Sequence, residues 1–108
     1  MLALLFGCGA GPVRLSKEWR QVELESTELT APYLLIDYGR SDIRFNGRPL
    51  KEAQILDPIR EAAPLVPRPL VFIRFSLNHK AAAYALARKI GATGICDEGG
   101  CMYRIVGH

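Results

Sequence analysis

The chain of 108 residues lacks the signals that mark several functional classes. No apolar run reaches the ~20 residues of a membrane-spanning helix, so no part of it is read as crossing a bilayer. No block of basic residues occurs: the ten arginines are scattered from Arg14 to Arg104 and the net charge is only +3, so a nucleic-acid footprint is not indicated. Histidine is scarce, with only His79 and His108. Cys96 and Cys101 have C-x4-C spacing with no second pair and no H-x3-H nearby, which argues against a structural zinc site. The spacing is also not the C-x-x-C of a thiol oxidoreductase. Gly91-Ala92-Thr93-Gly94 follows a candidate helix instead of preceding one, so it lacks the arrangement that cradles phosphate. Ser76 and His79 with a distant Asp can be drawn as a hydrolase set, but no nucleophile elbow surrounds them. The adjacent acids Asp97 and Glu98 fit a solvated turn better than a catalytic pair. No repeat or low-complexity segment is present. No catalytic residues, metal or cofactor are therefore expected, and an enzyme is the least supported class.

What is present describes one domain. Nearly half the residues are hydrophobic (49%) and 23% are charged, a balance that folds instead of remaining disordered. The length suffices for one modest core. Residues 1–12 read as a signal-like segment and tether, and residues 13–108 as a single α+β domain.

Glu18 to Glu25 predicts a strand that alternates from Gln21 onward, with Val22 and Leu24 on one face and Glu23 and Glu25 in water. Pro32 to Tyr38 reads as a central strand, and Asp42 to Phe45 as a short one ending in the strong turn signal Asn46-Gly47. Leu50 to Ala63 reads as a helix interrupted at Pro58. Leu70 to Phe75 has five apolar residues of six and predicts a strand buried on both faces. His79 to Ile90 reads as a second helix, with Asn78 as N-cap and Gly91 at its end. Residues 93–97 and the stretch to Val106 predict a closing β-hairpin turning at Glu98-Gly99. In that register Cys96 faces Cys101 in a non-hydrogen-bonded pair, close enough for a disulfide that would stabilise by roughly 2 kcal/mol. The expected architecture is a two-layer sandwich: a mixed sheet, two helices on one face, and a C-terminal β-hairpin.

Cys8 is left over after that pairing. The run M-L-A-L-L-F-G-C ends in Leu5-Phe6-Gly7-Cys8, which resembles the lipobox of bacterial lipoproteins. The resemblance implies cleavage before Cys8, lipidation of its thiol, and a domain held at a membrane by that anchor alone. Seven uncharged residues precede Cys8, so this reading expects a start codon further upstream. Export would in turn permit the Cys96–Cys101 bond.

From Tyr33 to Val106 the order of elements resembles the periplasmic domain of the biopolymer-transport family typified by ExbD and TolR. The residues that carry it are D-I-R-F-N-G, then a helix, V-F-I-R-F, and Y-A-L-A-R-K-I-G-A-T-G-I. The resemblance implies a fold and a periplasmic setting. It implies no ion conduction, because the family's proton-linked Asp lies in a transmembrane helix without counterpart here.

The functional expectation is a small exported, lipid-anchored domain, without catalysis, that binds an envelope protein or polymer. Pairing of an open sheet edge would allow a homodimer. The alternative is a cytoplasmic regulatory domain with reduced cysteines that binds a metal or small ligand.

Overall fold

The computed structural model describes residues 15–107. It shows an α+β fold built on one mixed sheet of six strands, with two helices and a hairpin-like C-terminal element. The strands are β1 (Trp19–Gln21), β2 (Tyr33–Tyr38), β3 (Ile43–Phe45), β4 (Arg48–Leu50), β5 (Leu70–Phe75) and β6 (Cys101–Ile105). Their order across the sheet is β1-β6-β5-β2-β3-β4. The first four of that order run parallel, and β3 and β4 are added antiparallel.

Helices α1 (Glu52–Ala62) and α2 (Lys80–Gly91) pack on one face. They bring Ile55, Ile59, Leu86, Ala87 and Ile90 against Ile36, Val71, Ile73 and Phe75 of the central strands. Glu52 and Lys89 form an ion pair between the helices. Pro58 stays inside α1 without ending it, and the N-terminus of α1 is set at Lys51, whose N–H is accepted by the Gln54 side chain at 2.8 Å. Asn78 does not cap α2. A short 3-10 turn at Leu77–His79 leads into the helix, and His79 holds the cap position without a side-chain bond.

Three more expectations change. β4 is a strand where helix was expected from Leu50. Asn46 and Gly47 both take positive φ, 51° and 87°, and the tight turn folds Arg48–Leu50 back onto β3. Pro49 hides this strand in the sequence, but an edge strand tolerates proline. The strand expected over Glu18–Glu25 is present only as Trp19–Gln21: beyond the bond from Val22 N–H to Tyr103 O the alternating residues do not continue it, and Trp19, set beside Cys101, is 6% exposed. The closing element is hairpin-like, but its first arm is not a strand. Residues 92–98 are successive tight turns, with Gly94 N–H donating to Gly91 O, Asp97 N–H to Gly94 O, and Gly99 N–H to Cys96 O. A strand at 93–97 would have no ladder to join, because β6 is already paired on both sides by β5 and β1. Among the described residues the sheet edges are therefore β1 and β4.

The segment between β1 and β2 must cross β6 and β5 to reach its place. It does so on the face away from the helices. Arg104 projects to that face and its guanidinium donates to Glu23 O at 2.8 Å. Phe72 and Met102, on the same face by strand alternation, are 0% and 3% exposed.

Candidate functional site

The cysteine pair is placed by the end of α2 and the start of β6. After Ala92 the turns bury Ile95 and Cys96 in the core. Gly99 takes φ +79° and reverses the chain, so that Cys101 returns beside Cys96. The two sulfurs stand 2.01 Å apart, at bonding distance, with the Cα atoms 5.1 Å apart. Both residues are fully buried. Asp97 and Glu98 at the tip are exposed, as expected of turn acids. Cys8, the tether before Val13 and His108 lie outside the described residues. Among the described residues no group of three His, Cys, Asp or Glu is placed to hold a metal.

A second cluster lies at the C-terminal ends of β5 and β6, where Ser76, Leu77, Asn78 and Ile105 line a shallow hollow. Ser76 Oγ and His79 Nδ1 are 3.3 Å apart, and the His79 ring lies 5.8 Å from that of Tyr38. No carboxylate hydrogen-bonds to His79 among the described residues, so the structure brings Ser76 and His79 together without the third member of a triad. Tyr38 donates to Ala82 O at 3.2 Å. Burial, and then the charge of Glu52, push its phenol well above the ordinary tyrosine range. Tyr103 is also raised, mainly by desolvation and then by its neighbour Tyr84. Tyr84, Tyr103 and Phe75 pack as one aromatic group with centroids 5.9 to 6.0 Å apart.

The third cluster was not expected from the sequence. Arg44, Asp37, Arg74 and Arg104 are register partners on β3, β2, β5 and β6, so they form one row across four strands. Each sits between residues that face the helices, in Ile43-Arg44-Phe45, Ile36-Asp37-Tyr38, Ile73-Arg74-Phe75 and Tyr103-Arg104-Ile105. Strand alternation therefore turns all four to the other face. Arg74 Nε lies 3.5 Å from Asp37 Oδ1, Arg104 Nη1 2.7 Å from Glu25 Oε2, and Arg44 Nε 3.5 Å from Asp42 Oδ2. The Nε atoms of Arg74 and Arg104 are buried without a hydrogen-bond partner among the described residues. The signal available in the sequence was the repeated apolar-charged-apolar triplet; that these triplets fall in one register is a property of the strand order.

These observations define a class: an α+β domain with one helix-covered sheet face and a second face that carries a row of three arginines and an aspartate, crossed at its β6 end by the segment between β1 and β2. No protein-family model, curated protein or solved structure matches the chain.

Proposed function

We propose that this is a small exported domain of the bacterial cell envelope, anchored by lipid at Cys8, that binds an envelope protein or polymer and performs no catalysis. The observation that carries the reading is the buried Cys96–Cys101 pair at bonding distance. Disulfides persist in oxidising compartments and are rare in the cytosol. The lipobox-like Leu5-Phe6-Gly7-Cys8 and the resemblance to periplasmic biopolymer-transport domains support the same setting. The helix-free face is the binding surface in this reading. Its charged row presents donors and acceptors in a fixed register on a rigid sheet. A homodimer would form through β1 or β4, the two sheet edges.

The test is the intact, non-reduced mass of the protein expressed from its own upstream DNA, together with fractionation of a Cys8→Ala variant. The expected product begins at Cys8, carries lipid, and is lighter by the two hydrogens of one disulfide. Cys8→Ala moves it from the membrane to the soluble fraction. An unprocessed chain with three free thiols overturns the proposal and leaves the cytoplasmic metal- or ligand-binding alternative.

A further inference from the structure

The arginine row contains one place where charge does not alternate. From β3 to β6 it runs Arg44, Asp37, Arg74, Arg104: plus, minus, plus, plus. Arg74 and Arg104 are direct register partners on adjacent strands, which lie about 4.8 Å apart in a sheet, and like charges so placed repel. The protein relieves this only in part. Arg104 is held by Glu25 at 2.7 Å and by Glu23 O at 2.8 Å. Arg74 approaches Asp37 at 3.5 Å and makes no hydrogen bond among the described residues. Among the described residues the buried Nε of Arg104 has no acceptor, and that of Arg74 faces only the Asp37 carboxylate, too far or too poorly aligned to count as a hydrogen bond. Buried donors in folded proteins are nearly always satisfied, and an unmet one calls for a missing partner. Both side chains nevertheless remain open to solvent, at 30% for Arg74 and 23% for Arg104.

We propose that Arg74 and Arg104 together bind an oxyanion group, a carboxylate or a phosphate. An anion there continues the alternation of the row. It also supplies acceptors that match the planar forks of two guanidiniums, the geometry in which arginine recognises both groups. The site deepens the binding reading by giving the chemistry of the partner group. It rests on the helix-free face being the binding surface, and is independent of the compartment and of Cys8.

The experiment is thermal unfolding of the purified oxidised chain, titrated with sodium phosphate or sodium acetate at constant ionic strength, with amide NMR shifts recorded alongside. The expected result is a saturable rise in Tm, about 7 °C at tenfold excess over Kd. Shift changes should concentrate at residues 73–75 and 103–105. Arg74→Gln abolishes the response, and Arg88→Gln on α2 retains it. If Arg74→Gln does not fold, Arg74→Lys serves: it keeps the charge, loses the fork, and weakens binding several-fold. Response in one arm alone identifies the group as carboxylate or phosphate. No saturable response in either arm, or an equal response in wild type and the Arg74 variants, overturns the site and assigns the buried Nε atoms to water. That failure would leave the export reading untouched, just as a soluble, unlipidated Cys8 would leave this binding intact.

Discussion

Tyr38 shows how one side chain ties the sheet to a helix and to pH. Its ring lies on the helix face of β2 and its hydroxyl donates to Ala82 O of α2. The folded protein holds the phenol proton more tightly than the unfolded chain, because burial and the carboxylate of Glu52 disfavour the phenolate. A folded pKa raised above the unfolded one gives stability that is complete below the ordinary tyrosine value, about 10, and is lost as pH rises above it. Tyr103 acts in the same direction. The urea midpoint should therefore fall from about pH 10 upward, and Tyr38→Phe should flatten that fall without removing the share of Tyr103. At neutral pH the same substitution should cost about 1 kcal/mol for the lost hydrogen bond. An alkaline slope identical in wild type and Tyr38→Phe would contradict the account. At this scale the sequence was partly legible. The apolar-charged-apolar triplets at Arg44, Arg74 and Arg104 could be read as strands with one polar face. Their meeting in one row could not, because it depends on which strands are neighbours.

Elements were legible where local preference and burial agree. β5 and α2 fall close to where composition and periodicity put them, because five apolar residues in six, or an alanine-rich stretch closed by glycine, leave little choice. They were illegible where tertiary pairing decides. Arg48–Leu50 has only three residues and a proline, and is a strand because a tight turn at Asn46-Gly47 lays it along β3. Residues 93–97 precede a hairpin turn signal at Glu98-Gly99 and so read as a strand, but both sides of β6 are occupied. α1 stands between these cases. It runs from Glu52 to Ala62 through Pro58, whose nitrogen cannot donate to the carbonyl four residues back. The helix persists because Ile55, Leu56, Ile59 and Ala62 bury one continuous stripe against the sheet. Packing thus outweighs an intrinsic penalty of up to ~3 kcal/mol. Pro58→Ala should restore the missing hydrogen bond and raise stability by about 1 to 3 kcal/mol, read as a higher urea midpoint with unchanged m. A lower midpoint would mean that Pro58 is needed to seat Ile55 and Ile59.

The whole molecule is closed by its last strand. β6 lies between β1 and β5, and β1, only three residues long, has no other partner among the described residues. The N-terminal edge of the described domain is therefore held by the C-terminal strand, and the sheet is incomplete until residues 101–105 are in place. The clasp acts at that point. Cys101 begins β6, is the register partner of both Trp19 and Val71, and lies at bonding distance from Cys96 in the buried turn after α2. Closing a ring this small should stabilise by about 2 kcal/mol, which for a domain of this size corresponds to a fall in Tm of about 10 °C on reduction. The position of the clasp also makes the loss global. Trp19 is the only tryptophan, and it is buried on the strand that depends on β6. Its fluorescence and the far-UV circular dichroism should therefore report the same midpoint, and both should shift together when the disulfide is reduced. A fluorescence transition that precedes the loss of secondary structure after reduction would show that β1 and β6 detach as a separate unit, with β2, β5 and the helices able to stand without them.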